Sequence, residues 1–284
     1  MNLVVFGEDI YTSTVIESLI ESGHRILLIV TPEYYNENYK IVEETALKYN
    51  IEFLKAEDVN SDKVKDYLIK MKPDLIIAVH LRKILSKEIF SQGAKGAINV
   101  HPSLLPKYRG LSPQHQAILQ GDDESGVTVH YIDSEMDTGK IILQEKFPIL
   151  KDDYILHVQI KMLAIYKKIV VNALGLLQDV FFVPIEQDLK ELSYYGPLKK
   201  KDREINLAKS KQEIYNLVRA VSLPYKGAFY ENYTIWVAKF PDSSAEAALK
   251  DKYTDVGFYF DKVADEIIIR LKDGFLISDD FEIN

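Results

Sequence analysis

The sequence predicts an α/β protein, a doubly wound, mostly parallel sheet followed by a smaller, mostly β domain. Three observations carry this. In the first 80 residues, short continuous β-branched runs alternate with helical stretches of 10–12 residues, the pattern of strands buried on both faces. No apolar run approaches the ~20 residues a membrane span needs. After Pro184 the texture changes to short alternating segments bounded by turn residues, as in a small antiparallel sheet.

Leu3-Val4-Val5-Phe6 is the first strand, ended by Gly7 and followed by a helix from Tyr11 to Glu21. Ile26 to Val30 is the second, stopped by Thr31-Pro32 because proline has no N–H for a ladder. A helical pattern from Tyr39 to Tyr49 leads into a strand at Ile51–Leu54, and a helix over Asp62–Met71 precedes the strand Leu75–Val79. Helices are expected at Leu85–Gln92 and Ser112–Gln120. Strands are expected at Gly96–His101, Gly126–Ile132 and Ile141–Pro148, and a long helix from Tyr154 to Gly175 closes the domain. The boundary is placed between residues 188 and 189. The tail has a polar, lysine-rich stretch (193–206), a helix at Lys211–Val221, and strands at Thr234–Lys239, Val256–Phe260, Glu266–Leu271 and Phe275–Ile277. Lys272-Asp273-Gly274 joins the last two strands as a hairpin turn.

Composition narrows the function. The 284 residues contain no cysteine, which removes disulfides, thiolate metal sites and cysteine nucleophiles. Lys+Arg number 35 against 43 Asp+Glu, a net charge of −8, and from Glu191 onward the tail holds 14 basic against 16 acidic residues. Neither half offers the basic footprint that nucleic acid requires. Residues 1–22 lack a basic n-region and a cleavage site, so a soluble, cytoplasmic protein is expected, with no membrane partner.

Common sites are missing. No G-x-G-x-x-G follows the first strand, and Gly121 to Thr128 has P-loop spacing with Val127 at the lysine position. Neither H-E-x-x-H nor G-x-S-x-G occurs. Asp133, Glu135 and Asp137 alternate like a calcium loop, but Thr138 stands at its glycine and Gln144 at its final glutamate, so no metal is expected. What remains is Gly96–Gly110. Its strand carries Asn99 and His101 two residues apart, hence on one face, and Pro102 ends it. Ligands of open α/β sheets bind at the carboxyl ends of strands. Asp137 lies on a later Gly/Asp-rich loop, which the sequence alone does not place near His101. Brought together, an Asn, a His and an Asp supply an oxyanion donor, a proton acceptor and a group that tunes the imidazole.

The ordered set Asn99-Val-His101-Pro-Ser-Leu-Leu-Pro106-x-Tyr-Arg-Gly110, Gly126-Val-Thr-Val-His130 and Asp137-Thr-Gly139-Lys-Ile-Ile resembles the formyltransferase family that uses N10-formyltetrahydrofolate. The resemblance implies a Rossmann-like fold, and Asn99, His101 and Asp137 as the catalytic residues. Asn99 would stabilise the oxyanion, His101 would take the proton of the attacking amine, and Asp137 would hold both groups. Leu81, Arg82, Lys83, Ile84 and Leu85 correspond to the loop whose main chain binds the pterin, and Ile132 and Asp133 would wall the same pocket. Many relatives carry Tyr-Gly or Phe-Met where this chain has His80-Leu81.

The tail bears on the acceptor. Ser193-Tyr-Tyr-Gly196, Ile205-Asn206, Ile214–Ala220 and Pro224–Phe229 are similar to sugar N-formyltransferases. The acidic tail, the short final domain and the lack of a long basic insertion between Thr31 and Asn50 weigh against tRNA. The implied acceptor is a nucleotide-linked amino sugar, such as a dTDP-amino sugar of lipopolysaccharide O-antigen synthesis, and analogy suggests a homodimer. Ser103, Lys107, Arg109 and Tyr225 are the candidate substrate contacts, with Tyr230, Lys199-Lys200-Lys201 and Arg203 as further ones. Each has a plainer reading: Asp137 as a turn residue, Arg109 in a loop ion pair, His130 as a strand residue, the lysines as a solvated loop. The rival activities are formylation of methionyl-tRNA and non-catalytic folate or nucleotide binding.

Overall fold

Apolar runs with no polar face for water become the central strands of a seven-stranded sheet in the computed structural model, which describes residues 1–33 and 37–283. The strands are β1 (Asn2–Gly7), β2 (Arg25–Pro32), β3 (Glu52–Ala56), β4 (Leu75–Val79), β5 (Ala97–His101), β7 (Glu124–Tyr131) and β8 (Ile141–Pro148), in the order β3-β2-β1-β4-β5-β7-β8. The first five are parallel, while β7 runs antiparallel to β5. All five residues of β4 are buried. The short β6 (Arg109–Gly110) pairs in parallel with β9 (Tyr194–Tyr195).

The helices α1 (Ile10–Glu21), α2 (Lys40–Lys48) and α3 (Asp62–Met71) match their sequence patterns. Asp9 caps α1 by accepting from the N–H groups of Tyr11 and Thr12. Helix α4 is shorter than expected, only Lys87–Phe90. The Asn60 side chain explains this: it accepts from Ser86 N at 2.7 Å and donates to Ile84 O at 2.9 Å, holding the preceding segment extended. Helix α5 covers Pro113–Gln120 and α6 covers Ile155–Leu176. Tyr166 on α6 is fully buried, and its hydroxyl donates to Val100 O at 3.3 Å. Among the described residues no helix is long and apolar enough to cross a membrane.

Packing divides the chain into two interleaved units. The first holds Met1–Leu111, Gly126–Phe147 and Lys161–Tyr195; the second holds Ser112–Ser125, Pro148–Ile160 and the described residues from Gly196 onward. The position between residues 188 and 189 lies inside the first unit, where β9 pairs with β6. In the second unit α5 packs on α7 (Lys211–Val221), with His115 Nδ1 donating to Ala220 O at 2.7 Å. Ser210 and Glu213 cap α7 reciprocally. Strands β10 (Ala228–Tyr230), β11 (Tyr233–Ile235) and β15 (Phe281–Ile283) form one antiparallel sheet; β12 (Gly257–Asp261), β13 (Glu266–Leu271) and β14 (Gly274–Ser278) form another. Leu271 pairs with Gly274 across the expected hairpin. Helix α8 (Ser243–Lys252) has no counterpart among the expected elements; it buries no residue, so its sequence carries no apolar stripe.

Gly7 permits the tight exit from β1. A Cβ there would sit 2.2 Å from Thr12 Oγ1 and 2.6 Å from Val79 O, within the contact that ties α1 to β4. Gly175 is exposed in α6, and a Cβ there would meet nothing within 4 Å. Gly7→Ala should therefore cost about 1–3 kcal/mol of stability, whereas Gly175→Ala should gain up to ~1 kcal/mol. Thermal and denaturant unfolding of the two variants checks the opposite signs.

Candidate active site

A parallel sheet brings the carboxyl ends of its strands to one edge, and the candidate site forms there within the first unit. Because β7 is antiparallel to β5, His130 lies opposite Asn99 and Thr128 opposite His101. The chain then turns between β7 and β8 so tightly that a Cβ on Gly139 would be 1.8 Å from Tyr131 O. Asp137 takes a left-handed conformation in this turn, with φ 58°. The turn carries its carboxylate back to the end of β5.

Asn99, His101 and Asp137 converge. Asp137 Oδ2 accepts from Gly110 N at 2.9 Å and lies 3.6 Å from His101 Nδ1. Its Oδ1 accepts from Asn99 Nδ2 at 3.3 Å and lies 3.6 Å from His130 Nε2. The tautomers follow from the carbonyls. His101 Nε2 donates to Tyr108 O at 2.9 Å, and His130 Nδ1 donates to Tyr131 O at 2.8 Å. In the neutral rings this leaves His101 Nδ1 as a lone pair and His130 Nε2 as the acceptor for Asn99 Nδ2 at 3.1 Å. His130, read from sequence as a strand residue, belongs to this cluster.

Burial sets the charges. Desolvation pushes His101 below the usual histidine value of 6.5, although Asp137 pulls the other way. Desolvation also works to raise Asp137, but His101, His130 and the Gly110 N–H outweigh it and hold the carboxyl well below its ordinary range. The site at rest is thus a neutral imidazole facing a carboxylate.

The other expected residues fall into three groups. Leu81 and Ile132 pack against one buried cluster that includes Leu85, while Arg82, Lys83 and Ile84 are exposed on the segment between β4 and α4. Asp133 is exposed and accepts from Glu135 N and Thr138 Oγ1, bracing its own turn. Ser103 is fully buried, and its hydroxyl donates to Lys107 O at 2.7 Å, bracing the loop after β5. Lys107 is half-buried. Arg109 is buried, and Nε and Nη2 donate to Gln187 Oε1 at 3.1 and 2.7 Å, so the loop ion pair is not what holds it.

In the second unit the Tyr225 hydroxyl accepts from Gln159 Nε2 at 2.7 Å and Gln114 Nε2 at 3.3 Å, and its ring meets His115 edge-on. Tyr230 stacks on Phe258, and Arg203 donates to Lys226 O and Gly227 O. Asp133, Glu135 and Asp137 do not converge, and among the described residues no group of three or more His, Asp or Glu side chains is arranged to hold a metal ion.

Sequence reasoning missed two features. Gln187 reaches the site from beyond α6, about 50 residues past Asp137, with no motif to announce it. Glu8 and Asp9, at the end of β1, pair with Arg82 and His80 at the end of β4. Burial raises the Glu8 carboxyl despite Arg82; His80 is raised, since Asp9 and Glu8 outweigh its desolvation. The pair His80 and Arg82 was the available signal, since two basic side chains just past a strand end ask for acidic partners.

Comparison with known proteins agrees with this architecture. Residues 1–174 match the formyl transferase family model, and residues 197–282 match the formyl transferase C-terminal domain. Methionyl-tRNA formyltransferase of Desulforamulus reducens is 32% identical over 243 residues, covering 83% of this chain and 75% of that protein. Among solved structures, the N-formyltransferase of Helicobacter canadensis in complex with folinic acid and dTDP-3-aminofucose superposes with a TM-score of 0.74 at 19% identity, over 98% of both chains. WlaRD, a sugar 3N-formyl transferase with dTDP and 5-N-formyl-THF, gives 0.71 at 21% identity over 99% of this chain and 97% of that one. Sequence, fold and the ordered polar residues at the end of β5 agree, and this chain belongs to the formyl transferase family.

Proposed function

We propose that this protein transfers a formyl group from N10-formyltetrahydrofolate to the free amine of a nucleotide-linked amino sugar, a 4-amino-4,6-dideoxy or 3-amino-3,6-dideoxy hexose. In this reading residues 1–188 carry the chemistry, and the enzyme works in the cytoplasm as a homodimer. The observation that carries the proposal is the convergence of Asn99, His101 and Asp137 at the carboxyl end of β5. The folate supplies an activated formyl carbonyl. Leu81, Leu85 and Ile132 share one apolar cluster beside a segment outside helix and strand, which suits a flat heteroaromatic ring held by main-chain groups.

Asn99 donates to the formyl oxygen as negative charge develops, exchanging one of its two present acceptors for the oxyanion. His101 takes the amine proton at Nδ1, because Nε2 is already committed to Tyr108 O. Asp137 then faces the new imidazolium, burial strengthens the pair, and His101 returns the proton to N10 as the bond from the formyl carbon to N10 breaks and tetrahydrofolate leaves. Arg109 is buried against a neutral amide rather than a carboxylate, so its charge is left for an anion such as a nucleotide pyrophosphate.

The solved relatives bound to dTDP or a dTDP-amino sugar support this acceptor. The second reading, methionyl-tRNA, is favoured by the 32% identity to that enzyme. The net charge of −8 speaks against it.

A formyl-transfer assay on a panel of nucleotide amino sugars, with methionyl initiator tRNA as competitor, decides between them; turnover on the tRNA alone would reverse the assignment. His101→Ala and Asp137→Ala should each lose ~10²–10⁴ in turnover, and near-wild-type rates in both would sink the mechanism. His101 must be neutral to act. Its lowered pKa should therefore place the acid limb of kcat/KM below pH 6.5, with activity lost as pH falls through it. Arg109→Met should raise KM for the nucleotide sugar about 10- to 100-fold, in line with loss of a charged hydrogen bond; steady-state kinetics with the acceptor varied measures it.

A further inference from the structure

We infer that Gln187 is a positioning residue for the catalytic carboxylate: it grips the turn that carries Asp137 and ties that turn to Arg109. The inference rests on the reading that Asp137 acts with His101. Gln187 Nε2 donates to Asp137 O at 2.9 Å and to Gly139 O at 2.8 Å. Its Oε1 accepts from Arg109 Nε and Nη2 at 3.1 and 2.7 Å. Both amide hydrogens and both lone pairs are used. The orientation is fixed, since a flipped amide would set oxygen against two carbonyls and nitrogen against a guanidinium.

The grip closes a ring. Gly110 N donates to the Asp137 carboxylate at 2.9 Å, and Gly110 follows Arg109 in the chain. Asp137 is thus held by its side chain through Gly110 and by its main chain through Gln187, while Arg109 and Gly110 hold the far side. Gln187 is itself placed by the antiparallel bridge two residues before it, where Ile185 and Ile141 exchange two hydrogen bonds of 2.8 Å. Asp137 sits at φ 58°, a conformation that an L side chain keeps only where its surroundings enforce it.

The test uses Gln187→Met, similar in volume but without the hydrogen bonds, and Gln187→Glu, which keeps the arm to Arg109 and loses the arm to the carbonyls. Both should lower kcat about 10- to 100-fold, with KM for the folate donor within ~3-fold of wild type. In Gln187→Met, NMR of histidine-labelled protein should show His101 titrating lower than in wild type, because Asp137 no longer supports its charged form. Wild-type kcat and an unmoved His101 titration in folded Gln187→Met would overturn the inference. Should that variant fail to fold, wild-type kcat in Gln187→Glu would overturn it alone. The His101 titration needs no turnover: a shift in a protein inactive on every acceptor would fault the reaction assignment and leave the positioning role standing.

Discussion

The site depends on one buried anion. Asp137 keeps 10% of its side-chain surface exposed and stays ionised, so it has to be surrounded by donors. Its donors come from separate stretches of chain, Gly110 N from β6 and Asn99 Nδ2 from β5, while the rings of His101 and His130 lie 3.6 Å from its two oxygens. A carboxylate stripped of them would cost several kcal/mol. The antiparallel entry of β7, the tight turn at Gly139 and the left-handed Asp137 all meet that demand. The same anion governs the imidazole: burial makes His101 reluctant to charge, and Asp137 keeps it from being unable to.

Much of the fold was legible because its signals are local. Leu75–Val79 and the runs around Val4 and Ile29 have no polar face, so they can only be buried strands, and the helices between them show apolar spacing. Asn99 and His101 were legible for the same reason, as alternate residues of one strand. Where the outcome depended on contacts distant in sequence, the reading stopped short. Leu85 and Ser86 look helical, but Asn60 holds them extended from 26 residues away. Gln187 has the composition of any loop glutamine until β8 and the post-α6 segment are paired.

Family membership and acceptor identity rest on different parts of the molecule. In the proposed function, formyl transfer uses the cluster around Asp137, which relatives acting on unlike acceptors can share. The acceptor is chosen by charge and shape elsewhere, and there the chain is acidic overall while Arg109 stays buried beside a neutral amide. A compact anion can be served by one guanidinium in a net acidic protein. A polynucleotide, contacted phosphate after phosphate, asks for a wider basic surface.

The interleaving of the two units has a consequence for how the protein is made. Helix α5 buries Gln114, His115, Gln116, Ala117 and Ile118, and its partner α7 begins about 90 residues later. At roughly 5–20 residues per second of synthesis, that face is without its partner for about 5–20 s. Formation of the second unit therefore waits on later synthesis, even for the piece that is made before the sheet is complete. In that interval the apolar residues Ala117 and Ile118 stand among Gln114, His115 and Gln116, so the unpartnered segment exposes little continuous apolar surface.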